Sequence, residues 1–289
     1  MKKMGFTIIG PGAIGNALLN FFVAQRYQIR TVWDRNKIYR YLENEKSGEI
    51  KRDEVRISED NLGAFIFLTV PDDQIKTVSM ELAALDLNWN DRSVIHSSGN
   101  LTSDECIALK ERGARVASMH PIQTFIQGDG ADRFKDIYVS LEGDESLTRI
   151  LSDIVRSMGA NPIFLDADQK RKLHLAAVFA CNYLVALLGQ SEKLLEESNI
   201  DGDLNLLKPL IMRTLENLFN KGVQKSLTGP ISRGDIESVQ KHLEMIEEDT
   251  SLSLLYKLLG LEALKITEIR GNLSSEAVAE LVNILAVKN

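Results

Sequence analysis

The stretch Gly10-Pro11-Gly12-Ala13-Ile14-Gly15 limits what this chain can fold into more than any other. Its GxGxxG spacing is weak evidence alone. Here it follows the apolar run Phe6–Ile9 and opens an amphipathic stretch, Ala13–Gln25, with Leu18, Leu19 and Phe22 facing inward. A strand, a glycine turn and a helix in that order is the context that gives the spacing its meaning. Gly10 permits a tight turn, Gly12 leaves the backbone open to a pyrophosphate, and Gly15 lets the helix lie close to a sheet. The helix start, Gly12 through Ala13 and Ile14 to Gly15, then supplies N–H donors and a positive dipole end for phosphates. The expectation is a dinucleotide site.

The next elements repeat this grammar. Strands are expected at Ile29–Trp33, Ala64–Val70, Ser93–His96, Arg115–Met119, Ile137–Leu141 and Pro162–Leu165, with a helix at Glu145–Met158. Ala64–Val70 is a continuous apolar run, as in a parallel strand covered on both faces. Strands alternating with helices imply a doubly wound parallel sheet. After Asp166 no strand pattern recurs. Helices are expected at Leu173–Leu195, Leu206–Asn220, Asp235–Ile246, Leu252–Ile266 and Glu276–Ala286. The fold class is therefore α/β, with an N-terminal doubly wound sheet over residues 1–166 and an all-helical domain over 167–289.

Bulk properties exclude other classes. A formal charge of -7 over 289 residues argues against a general nucleic-acid or acidic-membrane binder, though a few local cations suffice for a small anionic substrate. Cys106 and Cys181 form neither a disulfide framework nor a metal pattern, and His96, His120, His174 and His242 show no metal-ligand spacing. The nearly uncharged run Leu173–Gly189 is a little short of a membrane span. It reads as a buried helix of a cytoplasmic protein that engages no membrane.

Candidate site residues collect at strand ends, where ligands bind in such sheets. Asp34 ends the second strand, where a carboxylate accepts ribose hydroxyls and favours NAD. Arg35 pulls toward the 2′-phosphate of NADP, so the cofactor is NADP or NAD. Thr69-Val70-Pro71-Asp72 ends another strand beside the expected cofactor, and Asp72 or Asp73 is a candidate helix cap. His96-Ser97-Ser98-Gly99 and Met119-His120-Pro121 follow on the same edge. His174 and Asn182 are two strongly polar residues of an apolar helix, on one broad face with Val178. They either satisfy each other internally or face a substrate. Arg233, in Thr228-Gly229-Pro230-Ile231-Ser232-Arg233-Gly234-Asp235, either pairs with Asp235 or presents its fork to a carboxylate.

Together these residues make the chain resemble the family that joins a Rossmann-like domain to a DUF2520 domain. That family is related to 6-phosphogluconate dehydrogenase, the β-hydroxyacid dehydrogenases, ketopantoate reductase and pyrroline-5-carboxylate reductase. The carriers are the Gly10–Gly15 loop, Thr69-Val70-Pro71-Asp72, His96-Ser97-Ser98-Gly99, Met119-His120-Pro121, His174 through Asn182, and Thr228-Gly229-Pro230 with Arg233-Gly234-Asp235. The resemblance implies an NAD(P)-dependent oxidoreductase and a homodimer held by the helical half. The wider group carries a Lys-xxx-Asn pair on the first long helix. Asn182 matches that Asn, Val178 stands at the Lys position, and His174 is the nearby candidate acid. The expected reaction is reduction of a small 2-oxo acid, ketopantoate-like. His174 gives the proton, Asn182 orients the carbonyl, and His120 is held in reserve. Ser98 and Arg233 hold the carboxylate. An imine reductase of the pyrroline-carboxylate type and a non-catalytic dinucleotide sensor are the alternatives.

Overall fold

A computed structural model describes residues 5–34, 37–43, 50–54, 57–198 and 203–287. Nine strands form one sheet. They are β1 (Gly5–Ile9), β2 (Gln28–Asp34), β3 (Lys37–Glu43), β4 (Ile50–Glu54), β5 (Phe65–Leu68), β6 (Ser93–His96), β7 (Arg115–Pro121), β8 (Tyr138–Gly143) and β9 (Asn161–Phe164). Their order is β4-β3-β2-β1-β5-β6-β7-β8-β9. The five from β2 to β7 are mutually parallel, so the sheet is mostly parallel, as expected. Strand order reverses at β1, which puts the crevice for a ligand at the C-terminal ends of β1 and β5.

Two features depart from the expected sheet. The antiparallel pair β3–β4 extends its edge beyond β2. At the other edge β8 runs antiparallel to β7, and β9 follows parallel to β8. The link from β7 to β8 holds only a short 3-10 turn, Ala131–Phe134. A parallel return needs a crossover, usually a helix, so β8 folds back. Helix α4 (Glu145–Ser157), capped by the Asp144 side chain, supplies that crossover between β8 and β9.

Helices cover both faces. Helix α1 (Ala13–Ala24) and α4 pack Leu18, Phe22, Leu147 and Leu151 on a face made by Phe6, Ile8, Phe65, Phe67, Ala117, Met119, Val139 and Leu141. Helices α2 (Asp72–Ala83) and α3 (Ile107–Glu111) pack Ile75, Leu82 and Leu109 on Ile66, Leu68, Val94 and Val116. Side chains alternate along a strand, so Val94 and His96 share this second face, as do Val116, Ser118 and His120. The register sets Ser118 beside His96 and Glu142, and His120 beside Ser140. The apolar face therefore turns polar at the strand ends, inside a sheet covered on both sides. Polar residues there need partners.

A single helix runs from Ala167 to Glu197 as α5 (Ala167–Ala177), a π-helical turn (Val178–Asn182) and α6 (Tyr183–Glu197). Asp166 and Gln169 form a capping box at its start. Its 31 residues, with a stretch of mean hydropathy 1.6 among them, would suit a membrane crossing by length and composition. The expectation of a buried helix is not met. Leu175, Phe179, Tyr183 and Val185 are all exposed in the chain, Val185 by 71%.

The chain divides into two compact units, residues 1–182 and 183–289, so the first takes in α5 beyond Asp166. The second unit holds α6, α7 (Lys208–Lys221), α8 (Val223–Ser226), α9 (Pro230–Arg233), α10 (Ile236–Met245), α11 (Thr250–Arg270) and α12 (Ser275–Leu285). No strand occurs among its described residues. Its core is Val239, Leu264, Leu281 and Leu285, and Leu285 packs close over Gly260 of α11.

Candidate functional site

The glycine turn has the geometry of a phosphate cradle. Gly10 has φ +84, a conformation that favours glycine, and the Val70 side chain lies against it. Thr69 Oγ1 donates to the carbonyl of Gly10 at 2.6 Å and to that of Ile9 at 3.1 Å, tying the loop after β5 to the turn. Gly15 faces the Gly10 carbonyl and Thr69 Oγ1 so closely that a Cβ there would collide with both. Gly12 is the opposite case. Its φ is -72, and nothing lies within 4 Å of where its Cβ would be. It caps α1 with no side chain, and the first turn of α1 carries no acid. An open helix start without a competing carboxylate fits a pyrophosphate. The Gly10 N–H donates to the Trp33 carbonyl at 2.8 Å. That sets the exposed Asp34, at the end of β2, beside the turn. Pro71 caps α2 and neither Asp72 nor Asp73 does so. Arg35 lies outside the described residues.

The polar strand ends form a second cluster beneath α5. Its centre is Lys170, a residue that sequence reading did not single out. The side chain is 1% exposed, and Nζ donates to the Ser98 carbonyl at 2.6 Å and to Ser118 Oγ at 2.7 Å. Ser118 Oγ in turn donates to the Ser98 carbonyl. Burial pushes the Lys170 ammonium down to about 8, with Glu142 and Asp72 opposing the shift. Glu142 is itself held by the N–H and the hydroxyl of Ser103. The lysine thus staples the end of β6 to β7.

One turn after Lys170, at i+4, stands His174. Its Nδ1 and His120 Nε2 both face Gly99. A Cβ on that glycine would lie 2.7 Å from His120 Nε2 and 2.8 Å from His174 Nδ1. The ring centroids are 6.4 Å apart. His120 Nδ1 lies 3.0 Å from the Ser97 carbonyl. A carbonyl only accepts, so Nδ1 carries the proton and Nε2 presents a lone pair. Burial, and secondarily the Lys170 charge, bring His120 down to about 4 against the helping Ser97 bond. It is neutral near pH 7. His96 lies fully buried behind it, also lowered to about 4 by burial and then by Lys170.

The first unit therefore brings His120, His174 and the Ser97–Gly99 loop together. Ser98 is in that loop, but its hydroxyl proton goes to Asp72 at 2.7 Å while its oxygen accepts from Asn100 and Leu101 N–H. Asn182 ends the π turn, exposed. Arg233 belongs to the second unit. Its side chain is 65% exposed, with Asp235 at 3.9 Å. Lys170 escaped notice because Lys170-Arg171-Lys172 reads as a solvated helix start, and only the fold shows which cation turns inward. The alternation Val116, Ser118, His120 against Ala117, Met119 was a usable signal, since it writes a polar face into an interior strand.

Comparison with known structures agrees with this architecture. A protein of Bacteroides fragilis, provisionally an NADP oxidoreductase, superposes with a TM-score of 0.72 at 20% identity, covering 91% of this chain and 99% of that one. A Thermotoga maritima protein gives 0.66 at 24% identity, covering 92% and 99%. A reductive aminase from Aspergillus terreus, in complex with NADPH and ethyl-5-oxohexanoate, gives 0.63 at 17%, covering 98% and 99%. At these identities the likeness concerns the fold, which is that of NAD(P)-dependent oxidoreductases. Residues 137–263 match the family model DUF2520, described as a domain of unknown function. A search of curated proteins gave no match.

Proposed function

We propose that the protein is an NAD(P)-dependent reductase of a small 2-oxo acid, with His174 as the proton donor. The observation that carries this reading is the convergence of His174 Nδ1 and His120 Nε2 on Gly99, at the strand ends of a unit that also holds the glycine cradle. When bound, a reduced nicotinamide supplies hydride to the carbonyl carbon. The alkoxide oxygen must then gain a proton. His120 is locked with its proton on the Ser97 side and cannot give one from Nε2, which leaves His174 for that step. Lys170 positions the Ser98 carbonyl, and with it the Ser97–Gly99 loop, against β7. Gly10, Gly12, Ala13, Ile14 and Gly15 hold the pyrophosphate, Val70 and Pro71 line the nicotinamide side, and Asp34 faces the ribose. Arg233 is offered as counter-charge for a substrate carboxylate, and Asn182 as an aligning group. The exposed apolar face of the long helix supports a homodimer in which a second copy covers it.

The test is oxidation of NADH and NADPH with a panel of 2-oxo acids, a panel of cyclic imines and no substrate. Turnover on the oxo acids supports the reading. Turnover on the imines alone assigns an imine reductase. Tight cofactor binding with no turnover assigns a sensor.

A further inference from the structure

One side-chain bond joins the loops that follow β5 and β6. Ser98 Oγ accepts from the N–H groups of Asn100 and Leu101, so its proton goes to Asp72 at 2.7 Å. Ser98 is buried, while Asp72 is exposed at the start of α2. The Asp72 carboxylate does not cap its own helix, where Pro71 holds the cap position without a side-chain bond. Among the described residues it makes no ion pair. Strand order says what this carboxylate is for. In β2-β1-β5-β6-β7, Asp34 falls on one side of the glycine turn and Asp72 on the other. A dinucleotide crosses the crevice where strand order reverses. With its pyrophosphate on the Gly10–Gly15 turn and its adenosine ribose at Asp34, its nicotinamide half extends over the ends of β5 and β6. Asp72 and Ser98 tie those two ends together. His120, at the end of β7, and Lys170 both feel the Asp72 charge, which raises each of them.

We infer that Asp72, held by Ser98, is the charge that makes the site favour the oxidised nicotinamide over the reduced one. This rests on the NAD(P) assignment above and goes beyond it. The oxidised ring carries one positive charge that the reduced ring lacks, so a nearby carboxylate stabilises only the oxidised form. Such differential stabilisation also makes the bound cofactor a stronger hydride donor, because the charge that Asp72 favours develops as hydride leaves. Lys170 donates to the Ser98 carbonyl of the same loop and carries the opposite charge. The effect of Asp72 is therefore read as a difference between proteins that all keep Lys170.

Calorimetry of both redox forms of the preferred cofactor, with wild type, Asp72→Asn and Asp72→Ser, decides the matter without turnover. Asparagine keeps an oxygen for the Ser98 hydroxyl, so the tie between the loops survives and only the charge is lost. Asp72→Ser is a second neutral variant, with a smaller side chain. The Kd of the reduced form divided by that of the oxidised form should fall by about threefold in the neutral variants, the scale of a charge pair at an exposed carboxylate. A ratio that stays at its wild-type value overturns the inference, even where both forms bind more weakly, and leaves Asp72 as a tie between loops. A ratio that rises also overturns it. Failure of the wild type to bind either form overturns it together with the NAD(P) assignment. The expected fall, without turnover on any 2-oxo acid, upholds the inference while the reductase reading fails.

Discussion

Lys170 gives a sharp test of the buried cluster, because a lysine there must leave a mark on stability. Burial lowers it from 10.5 to about 8. The unfolded chain keeps this proton up to about pH 10.5, while the folded protein begins to release it near pH 8. Between those values the unfolded state binds more protons, so stability rises with pH. Integrated from about pH 7 to about pH 9.5, the gain is about 2 kcal/mol. Lys170→Met keeps most of the side-chain volume and has no proton to lose. Ser118 Oγ still donates to the Ser98 carbonyl in that variant, so no acceptor is stranded. The assay is denaturant unfolding of wild type and Lys170→Met at both pH values. The double difference removes the titration of every group that does not sense the Lys170 charge. The wild type should gain about 2 kcal/mol over the variant on going from the lower pH to the higher. Parallel behaviour of the two proteins would mean that Lys170 is solvated, and the staple between β6 and β7 would be refuted.

Other outcomes follow from the same geometry. Gly12→Asp should fold normally, since φ is negative and the space is open, but it should lose dinucleotide binding by about a hundredfold or more as its charge enters the phosphate site. Gly15→Ala should instead destabilise the fold, by about 1–3 kcal/mol, because its Cβ meets the Gly10 carbonyl and Thr69 Oγ1; denaturant melts separate the two cases. Asp34→Ser should raise NADPH affinity relative to NADH, and a fixed ratio in calorimetry would remove Asp34 from the ribose. Arg233→Ala should weaken binding of oxamate to the cofactor complex while cofactor affinity holds. Light scattering at micromolar concentration should give the mass of a dimer, and a monomer would leave the exposed apolar face of the long helix unexplained.

The glycine turn was legible because its function is local: three glycines, a strand before and a helix after. Seven strands were legible from apolar runs, and the long helix, α7, α10, α11 and α12 from their periodicity, while the short α8 and α9 lie in a stretch whose Gly and Pro read as a turn. Strand direction was not. The reversal at β8 depends on the link from Pro121 to Tyr138 being too poor in helix to cross over, and apolar runs read the same either way. The β3–β4 pair was missed because Lys37-Ile38-Tyr39-Arg40-Tyr41-Leu42-Glu43 mixes charge with aromatics and lacks the apolar density of the interior strands. His120 and His174 could each be named from the sequence as polar groups in apolar settings. Their convergence on Gly99 could not, because it depends on how α5 lies over the ends of β6 and β7. Lys170 was hidden for the same reason, as one of three adjacent cations.

The central claim is that His174 delivers the proton when a reduced nicotinamide cofactor is consumed. Its most direct test is single-turnover decay of nicotinamide absorbance with a 2-oxo acid substrate, in wild type, His174→Ala and His120→Ala. His174→Ala should slow the decay by about a hundredfold or more, in line with losing general-acid help, with cofactor affinity unchanged. His120→Ala should act mainly on substrate affinity. An unchanged rate in His174→Ala, with the rate lost in His120→Ala, would contradict the account and make His174 a structural neighbour of the acid.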